Sequence, residues 1–182
     1  MFYRRIDEHL CLKLASILDA AAFTDLILRN REDFSRWFGA WIAETTADGE
    51  RAYLARVTAQ WAALEELAAL LLLDGEPIGY AGLHGIDRTA GHCEIGYWLD
   101  AAHRGRGHMT AAVRETERLC FEELGLIRVA IHIDTRNERS RAIPERLGYH
   151  QDGILRAQRR DQAGTPHDEV VYSLLRDEWL AR

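Results

Sequence analysis

Residues 103–110 read HRGRGHMT, with Gly105 and Gly107 interleaved with Arg104 and Arg106 directly ahead of a stretch of helical periodicity. A strand-to-helix junction leaves the first N–H groups of the helix without partners and points the positive end of its dipole outward. Glycine lets the main chain approach a ligand closely, so the N–H groups of Gly105, Arg106, Gly107, His108, Met109 and Thr110 could surround an anion, most often a phosphate. The two arginines add attraction at longer range. A tight turn with solvated arginines is the other reading of the same residues. The spacing excludes two familiar phosphate loops, since neither GxxxxGK(S/T) nor GxGxxG after an early strand occurs.

A second candidate precedes the loop. In HCEIGYWL (92–99) strand alternation places Glu94, Gly96 and Trp98 on one face. A carboxylate in mid-strand is rarely there for packing, which makes Glu94 a candidate acid–base group; an exposed strand glutamate is the alternative. His132 and Asp168 are further titratable candidates. The eight histidines show no HExxH or other ligand spacing, so no metal is expected.

These residues need a scaffold, and the sequence supplies one. Leu10, Leu12 and Leu14 alternate as a strand, and apolar positions from Ile17 to Trp41 recur at helical spacing. A second helix is expected over Arg51–Glu65, with Tyr53, Leu54, Val57, Trp61 and Leu64 turned inward. LAALLLL (67–73), the turn Asp74-Gly75-Glu76-Pro77 and IGYAGLHGI (78–86) read as a hairpin. After the strand 92–99 come a helix over 107–124 closed by Gly125, a strand over 127–133 and a helix over 138–147 stopped by Gly148. Strands near 153–158 and 169–175 complete a mixed α/β chain.

The 182 residues, 47% hydrophobic and 29% charged, suit a single domain over 1–182, with no linker or repeat in evidence. A net charge of −6 argues against a general nucleic-acid binder. Lys13 is the only lysine, a bias that reads as compositional. Cys11, Cys93 and Cys120 are widely spaced, as expected of free, mostly buried thiols in a reducing cytoplasm. The N-terminus carries no apolar leader segment, and the longest apolar run is too short to span a bilayer.

Arg104-x-x-Gly107-x-Met109 resembles the pyrophosphate loop of the GNAT superfamily of acyl-CoA-dependent N-acetyltransferases. Glu94–Leu99 upstream is similar to the strand that precedes that loop. Asn137-Glu-Arg-Ser140 followed by Leu147-Gly148-Tyr149 is similar to the superfamily's N-x-x-S…LGF/Y segment. The pair Trp37 and Trp41, and His167-Asp168 followed by Tyr172, resemble the RimJ/RimL branch, which acetylates ribosomal-protein N-termini. Met109 stands where glycine or alanine is usual, although methionine there also resembles this branch.

The resemblance implies a GNAT fold, a mostly antiparallel central sheet with splayed strands flanked by helices. It implies acetyl-CoA as co-substrate, with the pantetheine arm against the main chain of Tyr97, Trp98 and Leu99. The diphosphate would lie on Gly105–Thr110, and Asn137 would bond the pantetheine or cap its helix. Tyr97 and Trp98 can be core aromatics as well, since the contact is through backbone. Ser140 would lie near the sulfur and protonate the leaving thiolate. The commoner acid is a tyrosine four residues later, where this chain has Pro144. The branch's downstream carboxylate is also missing, because the corresponding stretch is Ala157-Gln158-Arg159, and Glu94 is the expected substitute.

The expected activity is transfer of an acetyl group to a primary amine by direct attack in a ternary complex, with a protein N-terminal α-amine as acceptor. Trp37 and Trp41 would wall the acceptor site, with core packing open for one of them. A small-molecule amine (polyamine, amino acid or antibiotic) is the alternative acceptor, and a non-catalytic acyl-CoA sensor the alternative function. An open sheet edge at the C-terminal strands could pair two copies as a homodimer.

Overall fold

The computed structural model describes residues 3–39, 41–161 and 163–182. Met1 and Phe2, at the N-terminus read for a leader, and Ala40, inside the expected first helix, lie outside the described residues. In chain order the elements are β1 (Tyr3–Arg5), β2 (Leu10–Leu14), α1 (Ala20–Arg29), α2 (Arg31–Phe34), α3 (Trp41–Glu44), α4 (Ala47–Ala62), β3 (Leu67–Leu73), β4 (Glu76–Asp87) and β5 (His92–Leu99). They continue with α5 (His108–Arg118), β6 (Arg128–Asp134), α6 (Glu138–Arg146), β7 (His150–Arg160), β8 (Pro166–Leu175) and α7 (Arg176–Leu180).

Among the described residues the strands form one eight-stranded sheet in the order β1-β2-β3-β4-β5-β6-β8-β7. Its neighbours are antiparallel except β5 and β6, which run parallel. The β3 run LAALLLL is central because it is apolar on both faces. Leu67, Ala69 and Leu71 enter a core with Ile95, Val113, Phe121 and Val129, which packs α5 on one face of the sheet. Ala68, Leu70 and Leu72 enter another with Phe23, Leu54, Val57, Tyr80 and Trp98, which packs α1 and α4 on the opposite face. The hairpin between β3 and β4 turns at Asp74 and Gly75, both at positive φ (50° and 89°), the backbone of a two-residue I′ turn.

The long first helix expected over 17–41 is interrupted at Asn30. This side chain is 4% exposed; it donates to Leu26 O and accepts from the Ala101 N–H, both at 2.9 Å. A side chain that competes for backbone partners ends α1, and the chain turns into the short α2. The second helix starts four residues before the expected Arg51, because the Thr46 hydroxyl accepts from the Gly49 N–H and caps it. It stops before Leu64, whose φ is 57°. α5 runs on through a π-helical turn over Leu119–Glu123 before Gly125 reverses the chain. β7 is longer than expected at both ends and bulges at Ala157 (φ 52°), whose N–H donates to Asp168 Oδ1 at 2.8 Å.

α6 carries Pro144 in its interior. Proline has no N–H to bond the carbonyl four residues earlier and its ring crowds that carbonyl, which here belongs to Ser140. The Tyr97 hydroxyl of β5 donates to the same oxygen at 2.9 Å. A side chain from the sheet thus replaces the missing helical donor and ties α6 to β5. Tyr97→Phe is expected to cost about 1–3 kcal/mol by leaving that carbonyl unpaired. In a Pro144→Ala background, where residue 144 regains its N–H, the same change costs about 1 kcal/mol less. Equal costs by denaturant titration in the two backgrounds would break the link.

Glu117 on α5 is 1% exposed, with Arg182 at 3.5 Å, and burial raises its carboxyl from 4.5 to about 7. Because the folded value is the higher one, the native state holds the proton more tightly. This contribution is fully present below about pH 4.5 and is lost as the pH rises through about 7. The loss is on the order of 3 kcal/mol. Melting temperatures between pH 4.5 and 8 should show the decline in the wild type and a flatter profile in Glu117→Gln; parallel profiles would contradict it.

Candidate functional site

The seam between β5 and β6 opens. These strands pair only through His92↔Arg128, Cys93↔Val129 and Glu94↔Ala130. Beyond that point Ile95–Leu99 and Ile131–Asp134 face a cleft of about 1500 Å³. Partnerless main-chain groups along a strand edge can pair with an extended ligand as a further strand would.

The 105–110 loop closes one end of the cleft. Gly105 and Gly107 have φ of 76° and 81°, a region other residues adopt only with strain. Gly107 is the N-cap of α5, and the first helical bond is from the Ala111 N–H to Gly107 O. The N–H groups of residues 105–110 have no protein acceptor among the described residues. Those at the start of α5 lie at the positive end of the helix dipole, where an anion is favoured. The Arg104 guanidinium donates to Leu99 O at 3.2 Å and pairs with Asp33 of α2. That guanidinium holds the Asp33 carboxyl below its ordinary value. Burial, then Arg106 and His103, hold His108 below the usual histidine range. The Thr110 hydroxyl accepts from Arg146 of α6 at 3.0 Å.

On the α1/α4 face the sheet carries titratable side chains. Tyr80↔Trp98, Gly82↔Gly96 and His84↔Glu94 are register pairs, so all six residues share the face that packs on Phe23 and Leu54. Ala130 pairs with Glu94 across the seam, which puts His132 on the same face. Glu169 joins them because it pairs with Asp134. His132 Nδ1 lies 4.0 Å from Glu94 and 3.8 Å from Glu169, and Glu169 is 2% exposed and ion-paired with Arg159. His84 bonds Glu66 at 3.0 Å through Nδ1. Its Nε2 lies 3.4 Å from the Tyr80 hydroxyl, which is 3.2 Å from the Tyr53 hydroxyl.

An aromatic wall faces these groups. Ring centroids step from Tyr53 to Phe23 (6.1 Å), Trp98 (5.5 Å), Phe34 (5.2 Å), Phe38 (5.6 Å) and Trp41 (5.7 Å). Trp37 and Trp41 both line the cleft, and Trp41 is 42% exposed, so it is wall rather than core.

The structure brings nearly all the sequence candidates into this one cleft. Glu94, Tyr97, Trp98, Leu99, Arg104, Gly105, Gly107, His108, Met109, Thr110, Asn137 and Ser140 line it, as does His132. The Trp98 side chain packs in the core, so what this residue offers a ligand is chiefly its main chain. Asn137 caps α6 by accepting from the Ser140 N–H at 3.2 Å. Two candidates fall outside. Arg106 lines a separate shallow groove with Asp7, His9 and Asp74, because the loop turns its side chain away from the cleft. Asp168 anchors the β7 bulge, and the next residue, Glu169, is the one that faces the cleft.

Sequence reading missed Glu169, His84 and Glu50, all of which line the cleft. Glu169 is a buried carboxylate on β8, the strand next to 157–159, and is ion-paired with Arg159. Its signal was present, as a carboxylate heading the apolar run 170–172.

The described residues fit acetyl-CoA. A Cβ placed on Gly105 or Gly107 would meet nothing within 4 Å, so the space over the N–H cradle is open. That cradle suits a diphosphate, and the free edge of β5 suits an amide-bearing arm. No group of three or more metal-ligating side chains occurs among the described residues. The family model for acetyltransferase (GNAT) domains matches residues 9–150. YdaF of Bacillus subtilis (strain 168), provisionally named a ribosomal N-acetyltransferase, is 37% identical over 98% of both chains. RimL, a ribosomal L7/L12 α-N-protein acetyltransferase solved with coenzyme A, superposes with a TM-score of 0.91 at 20% identity over 97% of this chain and 99% of its own. MccE, a microcin C7 self-immunity acetyltransferase solved with acetyl-CoA and AMP, gives 0.86 at 20% identity over 93% and 94%. The last two are likenesses of fold. With a matched domain covering most of its length and a cradle suited to coenzyme A, the chain belongs to the GNAT acetyltransferase family and is an acetyl-CoA-dependent N-acetyltransferase.

Proposed function

We propose that the acceptor is the α-amine of a protein N-terminus, of the kind modified by ribosomal-protein acetyltransferases. The cleft carries this reading: at about 1500 Å³ it exceeds the ~300–1,000 Å³ usual for one small ligand. It has room for a pantetheine arm and an extended peptide together. Kinship with YdaF along nearly the whole chain supports the same acceptor.

An amine attacks only when neutral, and a terminal amine has a pKa near ~8. Glu94 is the proposed base, at the point where the seam opens, and a positioned base contributes roughly 10²–10⁴-fold. His132 lies between Glu94 and Glu169, 4.0 Å and 3.8 Å from their carboxylates, and joins the two on this face. Ser140 is the proposed acid for the leaving thiolate, its carbonyl fixed by Tyr97 and its N–H by Asn137. Bound acetyl-CoA supplies the acetyl group activated as a thioester. Holding two substrates in register provides ~7–11 kcal/mol, so direct transfer needs no covalent nucleophile. Cys93 and Cys120 are buried in the core, away from any such role.

Peptides with varied N-terminal residues and a panel of small amines, assayed with acetyl-CoA by release of free thiol, test the acceptor. Turnover of peptides with unblocked termini is expected, and turnover confined to small amines would refute it. Glu94→Gln is expected to lower kcat/KM roughly 10²-fold or more at neutral pH and to shift the pH–rate profile. Unchanged kinetics would remove Glu94 from the mechanism.

A further inference from the structure

Among the described carboxylates that line the cleft and take no part in the transfer chemistry, Glu50 is buried without an ion pair, whereas Asp33 and Asp134 are paired with arginines and Glu138 is exposed. Glu50 sits in the first turn of α4, is 8% exposed and lines the cleft. No hydrogen bond or ion pair to its side chain occurs among the described residues. The nearby Arg56 is engaged elsewhere, since it bonds Gln60 and Glu66 and lies over the Tyr53 ring at 5.3 Å. Burial of a charge without a partner is costly, and such groups are normally paired. Burial accordingly raises the Glu50 carboxyl above its ordinary value.

Glu50 is also set apart from the reacting centre. It lies one helical turn before Tyr53, and the chain Tyr53–Tyr80–His84 separates it from Glu94. Tyr53 follows it on α4, half-buried and stacked on the core ring of Phe23. A lone buried carboxylate lining a cleft is complementary to an organic cation, whose N–H groups supply the charge-assisted hydrogen bonds it lacks. It is a poor match for a metal ion, which needs several ligands.

We infer that Glu50 forms a subsite for a second cationic group of the acceptor, an ammonium or guanidinium distinct from the amine that is acetylated. Resting on the N-terminal-peptide reading above, this makes the preferred substrate a protein whose first residues include lysine or arginine. The chain's net charge of −6 favours the encounter with such a terminus.

The test uses the whole protein, acetyl-CoA and pairs of peptides identical except for lysine or norleucine at position 2, and again at position 3. At one of these positions the lysine peptide is expected to have a 10–100-fold higher kcat/KM, carried by KM. Glu50→Gln brings the two peptides of that pair to the same value, and Glu50→Asp restores part of the difference. Glu50→Gln also melts at or above the wild-type temperature, since no internal partner is lost. Absence of discrimination at both positions, a preference that survives Glu50→Gln, or a marked drop in melting temperature would overturn the subsite. An α,ω-diamine compared with the matching monoamine separates the two readings. Glu50-dependent preference for the diamine without turnover of any peptide keeps the cation subsite and refutes the peptide acceptor. Equal turnover of both peptides keeps the acceptor and refutes the subsite.

Discussion

Three residue pairs hold β5 to β6, and the remainder of both strands is left without a neighbour at the seam. That termination creates the cleft, exposes a strand edge to an extended ligand, and places Glu94 at the apex. An open seam inside a sheet is normally a liability, because unpaired backbone groups demand partners. Here it is held open by pairing on the far sides: β5 stays in register with β4 as far as Leu99, and β6 with β8 along its full length.

The loop that follows the seam is fixed from the opposite layer. Arg29 pairs with Asp100 at 2.7 Å, Asn30 accepts from the Ala101 N–H, and Asp33 binds Arg104. All three partners lie at the corner where α1 gives way to α2. The break in the first helix is therefore part of the site's construction. A continuous helix would carry Asp33 and the aromatic residues after it away from the mouth of the cleft.

α6 is attached to the seam by a compensation between two residues far apart in sequence. Pro144 removes a helical donor, and Tyr97 supplies another from the sheet. The proline that replaces the superfamily's usual tyrosine thus sets where the Ser140 backbone is held, because its carbonyl is bonded across the opening to β5. The two faces of the sheet divide the remaining work. The α5 side presents main-chain donors suited to a polyanion, and the α1/α4 side presents carboxylates, histidines and aromatic rings suited to an amine.

The strand, loop and helix between 92 and 124 were legible because period-two alternation, a glycine pair and period-3.6 apolar spacing are local signals. The same holds for the existence of the hairpin after Leu73, though its turn is the two residues Asp74-Gly75 rather than the four read through Pro77, and for Glu94, whose face follows from counting. Helix ends were less legible, since Asn30 reveals itself as a breaker only when Ala101 is beside it. Glu50 could not be picked out among the chain's many acids, and for Glu169 the one local signal was its place at the head of an apolar run. A carboxylate acquires chemistry from burial and from the absence or presence of a cation, and both are properties of neighbours brought together by folding. Local sequence determined which segments could cradle an anion and carry a base. Only the tertiary structure decided which carboxylates are paired, that Glu50 is buried in the cleft without a partner, and that Tyr97 completes the backbone of α6, because each depends on contacts between residues distant along the chain.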